Sequence, residues 1–337
     1  MIKNILLIKL CCLIKLYCLI KLCLILIILY IVLSKNILNE YCKIDHYNGY
    51  EIEFENKNII YQFFNPSIIL KNKDQYICCL RSSTFSYKNL FNYFFGKLNY
   101  DSNLLFLEIK DKKIIKLVHP FCFSINGYLE DPRMIEKDNL YYISVTEYIN
   151  NKNIFPVLLI FNKNYEMVKR IDYNRNDYYG LRNFKRIEKN WCPFVYNNKL
   201  YLHTDTFPEW KVFEINNYGN MKLIINKKIN FVFPNIYLRC STSWKEYNDE
   251  YFICGLHIKD KKIIPIIRSI LVLIDKKTFL PIKYTKSFCL NKDKHETIQY
   301  LSGLEINELY IILSYGINDY KMVIKKILKS KIKFYNI

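Results

Sequence analysis

The chain has 337 residues, 51% of them hydrophobic and 16% aromatic, which excludes a disordered protein and allows a sizeable core. It carries 50 Lys and Arg against 31 Asp and Glu, a formal charge of +19, yet the lysines are scattered through polar turns with no Arg-rich stripe. No nucleic-acid motif accompanies that charge, so nucleic acid is excluded as a partner. Alanine is absent, and Gly and Pro are scarce while Lys, Asn and Ile abound. That bias reads as A/T-rich codon usage, and it makes each retained Arg, Pro, Gly or Trp more informative.

Residues 1–35 stand apart from the rest. A near-repeat, Ile8-Lys9-Leu10, Ile14-Lys15-Leu16 and Ile20-Lys21-Leu22, leads into the unbroken apolar run Leu22–Leu33. Lys3, Lys9, Lys15 and Lys21 precede that run, which predicts a single signal-anchor or transmembrane helix with a cytosolic N-terminus. The following domain is then lumenal or extracellular, and the membrane is a partner through this segment. A cleaved signal peptide and a surface-lying basic helix are the alternatives. The remaining cysteines show no CxxC pair and no zinc spacing, so no metal or other cofactor is expected. Adjacent Cys78 and Cys79 fall on opposite faces of a strand.

Residues 36–57 read as a linker, 58–328 as the main domain and 329–337 as a basic tail. Within the main domain, short apolar runs alternate with polar turns and long helical periodicity is missing. Five hairpin units follow one another. The first opens at Asn65-Pro66-Ser67 and the second at Glu130-Asp131-Pro132-Arg133. The third opens at Lys189-Asn190-Trp191-Cys192-Pro193, the fourth at Arg239-Cys240-Ser241-Thr242, and the fifth at Leu301-Ser302-Gly303. Several units continue into two more strand-like runs, such as Pro156–Asn162 with Glu166–Ile171, and Ser269–Ile274 with Ile282–Ser287. Four strands per unit and five units predict an all-β, five-bladed β-propeller; a β-sandwich is the alternative. The residues opening the inner strands, Asn65, Asp131, Asn190, Thr242 and Gly303, then converge on one mouth.

These openings, with Arg81 and the late Leu313-Ser314-Tyr315-Gly316-Ile317-Asn318-Asp319, resemble glycoside hydrolase family 130 over residues ~60–328. That family comprises β-mannoside phosphorylases and mannosidases built on five-bladed propellers, and related propellers include β-mannosyltransferases. The resemblance implies that Asp131 is the general acid, protonating the leaving oxygen through a sugar hydroxyl, with inversion at the anomeric carbon. It implies sugar or phosphate contacts from Asn65 and Arg81, phosphate binding by Lys189 and His203, and a last-blade aspartate at Asp319. Two positions depart from the pattern. Thr204 stands where the family has Arg, and Pro156–Phe161 contains no Arg, so the implied anion site is incomplete.

The residues read without the family support related chemistry. Glycosyl transfer needs a proton donor beside the leaving oxygen and charge near an oxocarbenium-like transition state. A carboxyl in a narrow mouth is expected to have a raised pKa, and Asp131 fits that role. Arg81, Arg133, Lys189 and Arg239 are cations expected near the mouth, suited to phosphate or a sugar-nucleotide diphosphate. Together with Asn190 they are candidate substrate contacts. Trp191, Trp210 and Trp244 are either sugar platforms or core residues. Glu147, Glu188 and Asp205 are candidates for a water-activating carboxylate. The expected function is a carbohydrate-active enzyme cleaving or phosphorolysing β-mannoside-like bonds. The alternatives are a membrane-anchored glycosyltransferase and a non-catalytic glycan-binding propeller. Expected partners are a glycan or oligosaccharide, with inorganic phosphate or a sugar nucleotide as co-substrate.

Overall fold

Runs rich in Ile, Tyr, Phe and Leu, punctuated by Asp and Asn, form antiparallel strands joined by tight turns. The computed structural model describes residues 21–22, 50–55, 62–83, 102–118, 128–150, 153–174, 189–229, 237–259, 267–289, 299–317 and 321–337. The chain divides into Met1–Ile44 and Asp45–Ile337. Of the first unit only Lys21 and Leu22 are described, and they are helical. Among the described residues no helix is long and apolar enough to cross a membrane, and the rest of the expected anchor lies outside them.

The second unit is a five-bladed propeller. After β1 (Tyr50–Glu55), the first blade is β2 (Gln62–Asn72), β3 (Gln75–Ser83), β4 (Ser102–Lys110) and β5 (Lys113–Val118). The second is β6 (Tyr128–Lys137), β7 (Leu140–Asn150), β8 (Asn153–Phe161) and β9 (Met167–Asp172). The third is β10 (Cys192–Tyr196), β11 (Lys199–Asp205), β12 (Glu209–Ile215) and β13 (Met221–Lys228). In the fourth, the inner strand is broken into β14 (Tyr237–Cys240) and β15 (Lys245–Glu246), both paired to β16 (Tyr251–Lys259). β17 (Ile267–Asp275) and β18 (Pro281–Tyr284) continue that blade. The fifth is β19 (Gln299–Ile306), β20 (Tyr310–Ile317) and β21 (Lys321–Leu328).

The two ends of the unit enter blades where the sequence suggested a linker and a tail. β1 pairs antiparallel with β21, from Tyr50 opposite Lys326 to Glu55 opposite Lys321, and completes the fifth blade. That pairing closes the ring by joining chain segments about 270 residues apart, so no local turn signal announces it. At the other end, β22 (Tyr335–Asn336) adds to β18 as an extra outer strand of the fourth blade.

Hairpin chemistry explains the inner registers. Asp138 and Asn139 lie at φ +49° and +60°, and Asn197 and Asn198 at +47° and +60°. Two-residue turns with both φ positive match the twist of the flanking strands, and Asn and Asp tolerate that conformation best among residues with a side chain. Lys137 therefore pairs Leu140, and Tyr196 pairs Lys199.

The core lies between blades, so the middle strands are buried on both faces. Cys79 joins the cluster between the first and second blades, with Phe106, Met134, Tyr141 and Phe161. Its neighbour Cys78 points the other way, toward Ile312, Met322 and Ile324 of the fifth blade. Tyr142 faces Trp191, Leu202 and Phe213 of the third blade. The three tryptophans belong to these walls: Trp191, Trp210 and Trp244 are 1%, 0% and 3% exposed, which makes them core residues and not sugar platforms.

Candidate active site

Each inner strand is interrupted at the residue that opens its hairpin unit. β2 shifts register between Phe64 and Ser67, β6 between Glu130 and Arg133, and β19 between Leu301 and Gly303. In the fourth blade the amides of Ser241 and Thr242 both donate to the carbonyl of Gly255, at 3.0 and 3.2 Å. Asn190 lies two residues before the paired part of β10, which begins at Cys192. Asn65, Asp131 and Asn190 all adopt left-handed backbone, with φ of +51°, +50° and +63°. A bulge re-aims a side chain out of the strand's alternation, and Asn and Asp bear positive φ at least cost. Pro66 and Pro132, which lack an N–H, fit the unpaired positions that follow.

The bulges of the first two blades bring a charged cluster together. Asn65 Nδ2 donates to Asp131 Oδ1 at 2.8 Å. Arg81 Nη2 bonds Glu130 Oε1 at 2.5 Å, and its Nη1 lies 3.9 Å from Asp131 Oδ1. Arg81 Nε donates to Ser102 Oγ at 2.8 Å, and that hydroxyl donates to the Leu129 carbonyl at 2.7 Å. Lys189 Nζ lies 3.6 Å from Glu130 Oε2 and 4.3 Å from the centre of the Tyr148 ring. One guanidinium thus serves two adjacent carboxyls, with a lysine on the far side of Glu130.

A hydrogen-bonded floor lies beside this cluster. Arg133 Nη1 donates to the carbonyls of Asp131 and Pro132, at 2.7 and 2.9 Å. Its Nη2 donates to Tyr300 Oη and, at 3.3 Å, to Asn190 Oδ1. The Tyr300 hydroxyl donates to Asn190 Oδ1 at 2.8 Å. The Tyr300 ring meets His257 edge-on, with centroids 5.0 Å apart, and His257 Nδ1 shares a 2.8 Å hydrogen bond with Ser241 Oγ. Second, third, fourth and fifth blades all contribute to this floor.

These surroundings fix the protonation states. Burial works to raise the Asp131 pKa, but Arg133, Arg81, the Asn65 amide and Lys189 together hold the carboxyl below the ordinary aspartate value. Asp131 is therefore a carboxylate, and the raised pKa expected from sequence is corrected. Glu130 moves the other way: burial raises it more than Arg81 and Lys189 lower it. His257 is pushed down to about 3 by burial, then by Arg133 and Arg239, so its ring is neutral.

Of the residues singled out by sequence, Asn65, Arg81, Asp131, Lys189 and Asn190 gather here. Arg133 joins them, but it is 0% exposed and spends its described hydrogen bonds on protein atoms, so it is a brace and not a sugar contact. Arg239 is exposed, and its charge acts on both His257 and Tyr300, which places it at the same end. Asp319 and Glu188 lie outside the described residues. Glu147 is held in a two-pronged ion pair by Arg170, at 2.9 and 2.7 Å. Asp205 is half-buried, with its backbone carbonyl accepting from His203.

His203 is elsewhere. It sits in the wall between the third and fourth blades, fully buried against Trp210 with ring centroids 4.0 Å apart. Trp244 Nε1 donates to its Nδ1 at 3.1 Å, so the proton is on Nε2, which donates to the Asp205 carbonyl at 3.0 Å. Burial pushes its pKa down to about 3. A neutral imidazole with both nitrogens engaged has nothing to offer phosphate, which corrects the role implied by the resemblance.

Tyr300, Glu130, His257 and Ser241 are site residues that sequence reasoning did not single out for a role. Gly316 is another. A Cβ there would lie 2.1 Å from Asn65 Oδ1 and 2.8 Å from its amide nitrogen. Only glycine lets β20 back the asparagine that holds Asp131.

No family model and no curated protein matches the sequence. Solved structures are similar in fold. One is from work on glycoside hydrolases of family 130 that target β-1,2 mannosidic linkages in Candida mannan, with a TM-score of 0.63 and 13% identity over 80% of this chain and 85% of that one. A β-1,2-mannobiose phosphorylase from Listeria innocua gives 0.58 and 12%, over 82% of this chain and 93% of that one. A mannose phosphorylase from Leishmania mexicana, in complex with phosphate, gives 0.56 and 9%, over 91% and 96%. The chain therefore shares the five-bladed fold of mannoside phosphorylases and glycoside hydrolases of family 130.

Proposed function

We propose that the protein is an enzyme of the mannoside phosphorylase and glycosidase type, acting on a β-mannoside-like bond with Asp131 as the residue that exchanges the catalytic proton. The observation that carries this reading is the Asn65–Asp131–Arg81 arrangement on paired bulges, with Lys189 beside it. The charged Asp131 carboxylate is placed to accept a hydrogen bond from a sugar hydroxyl.

The charge balance suits an anionic co-substrate. Arg81, Arg133, Lys189 and Arg239 outnumber Glu130 and Asp131, and His257 is neutral. Phosphate seated against Lys189 and Arg239 would offset the positive field that keeps Asp131 ionised, so the carboxyl takes up a proton as the site fills. In the reaction a phosphate oxygen forms the new bond to the anomeric carbon from the face opposite the leaving group. The glycosidic C–O bond breaks, the leaving oxygen takes a proton from the sugar hydroxyl, and that hydroxyl is reprotonated by Asp131. Inversion follows from the single displacement. Engagement of Glu147 by Arg170 removes one candidate base for water.

The same positive mouth suits the diphosphate of an activated mannose donor, which keeps the transferase as a second reading. The apolar run Leu22–Leu33 behind four lysines supports it, since we propose that this run anchors the chain with its N-terminus cytosolic and the propeller lumenal or extracellular. Alkaline carbonate should leave the full-length protein with membranes; release into the supernatant rejects an anchor. For the activity, full-length protein is incubated with β-mannobiose with and without phosphate, and separately with GDP-mannose and mannose. Phosphate-dependent release of mannose 1-phosphate supports phosphorolysis, phosphate-independent release of mannose supports hydrolysis, and product only from GDP-mannose selects the transferase. Sugar binding without turnover of any of these leaves a glycan-binding propeller and rejects the enzyme.

A further inference from the structure

We propose that Tyr300 is a positioning residue for Asp131, acting from the fifth blade through Arg133 and Asn190; this rests on the glycoside-cleaving reading above. Asp131 sits in left-handed backbone, a conformation that is costly for a non-glycine residue and persists only when the surroundings over-determine it. Arg133 supplies that determination by gripping the carbonyls of Asp131 and Pro132 with Nη1. A guanidinium is planar and rigid, so fixing one edge orients the other. The outer edge of Arg133 is fixed by the Tyr300 hydroxyl, which accepts from Nη2 and donates onward to Asn190 Oδ1.

The hydroxyl is the atom that separates positioning from filling. The Tyr300 ring already packs, 7% exposed, against His257 and against the guanidinium, whose carbon lies 5.3 Å from the ring centre. A space-filling residue would need only that ring. Burial drives the phenol pKa upward, against the lowering effect of Arg133, so the hydroxyl stays protonated and keeps its donor role. Tyr300 also pairs across β19–β20 with Gly316, the glycine that backs Asn65. One pair of residues in the fifth blade thus holds Asp131 from both sides: its backbone through Arg133 and its carboxylate through Asn65.

The test is Tyr300→Phe in the full chain, assayed on β-mannobiose with saturating phosphate. The ring and its packing survive; the hydroxyl that bridges Arg133 and Asn190 does not, which leaves only the longer direct contact of 3.3 Å between them. We expect kcat to fall roughly 10- to 100-fold, as for a catalytic group displaced by a fraction of an ångström, with KM changed less than about threefold. Asn190→Gly keeps the left-handed backbone and removes the acceptor of the Tyr300 hydroxyl. It should lower kcat as well, and Tyr300→Phe added to it should lower kcat by less than about twofold more, because both break one chain of bonds. Unchanged kcat in Tyr300→Phe overturns the inference, as do fully additive losses. If Tyr300→Phe does not fold, unchanged kcat in Asn190→Gly overturns it alone. A wild type that turns over no mannoside rejects the functional reading and this inference with it, whereas an active wild type with an equally active Tyr300→Phe rejects only the inference.

Discussion

Two polar neighbourhoods, one around Asp131 and one around His203, were both expected at the mouth, and only the first is there. Asp131 lies on an inner strand at a bulge, in left-handed backbone, surrounded by Asn65, Arg81, Arg133 and Lys189. His203 lies on the second strand of its blade, opposite Cys192 on one side and beside a register shift between His203 and Asp205 on the other, and is enclosed by Trp210, Trp244 and Cys240. A side chain on the second strand of a blade points into the wall between blades even beside a register shift, as His203 does. A bulge on the innermost strand is what presents one at the mouth. The contrast teaches that residue type nominates a site residue, while an irregularity on the innermost strand, and not on the second, decides whether it gets there.

The largest effect expected on this contrast comes from Asp131→Asn. The amide keeps the shape and can still accept from Asn65, but it cannot pass a proton. Turnover should drop by roughly 10²- to 10⁴-fold, while the thermal midpoint moves by no more than about 5 °C. Near-wild-type turnover on a verified substrate would remove Asp131 from the mechanism.

Next in size is Gly316→Ala. The added methyl would overlap Asn65 Oδ1 and press on its backbone nitrogen, and backbone does not yield as a flexible side-chain end does. We expect a stability loss of roughly 1–3 kcal/mol in urea melts and a fall in kcat of about tenfold or more. A variant with normal kcat would mean that the backing of Asn65 is irrelevant to Asp131.

Third is a pair of variants that sets the two neighbourhoods side by side. Lys189→Ala should raise the phosphate KM roughly tenfold, the size expected for losing one charge-assisted contact. His203→Gln should leave the phosphate KM within about twofold, since the wall carries no anion contact. The reverse outcome would return His203 to the anion site and displace the wall reading.

Much of this was legible in the sequence. The repeated hairpins, with Asp138-Asn139 and Asn197-Asn198 as turns, were readable because two-residue turns have strong local chemistry. Asn65 and Asp131 were readable because each precedes a proline at a strand opening, and Asn190 because it opens the third hairpin unit three residues before Pro193. Tyr300 was hidden among 30 tyrosines, in a chain whose composition makes any one of them unremarked. Gly316 did have a signal, as one of only 8 glycines, but its reason is a contact with Asn65 some 250 residues away. The low pKa of Asp131 was illegible because it depends on distances: burial alone would raise it, and the placement of Arg133 and Arg81, with the Asn65 amide and Lys189, reverses the sign.

The smallest effect sharpens the comparison through pH. His203 and His257 are both held down to about 3, against an ordinary value near 6.5, so each is neutral when folded and protonated when unfolded below that value. A depressed histidine contributes stability that is present above about pH 6.5 and is lost as pH falls toward the folded value. Between pH 6.5 and 5 the unfolded chain binds up to one more proton per such histidine, so each lowers stability by at most about 1.4 kcal/mol per pH unit. Urea melts at pH 7, 6 and 5 should show this fall in the wild type. His203→Gln should be less stable at pH 7, because the neutral ring's bonds to Trp244 and Asp205 are disturbed, but its slope should be shallower by about one proton. Arg239→Gln should not change the His203 share at all, since Arg239 acts on His257 and not on the wall. A His203→Gln slope equal to wild type would mean that His203 is protonated in the folded protein, which is incompatible with Trp244 donating to its Nδ1.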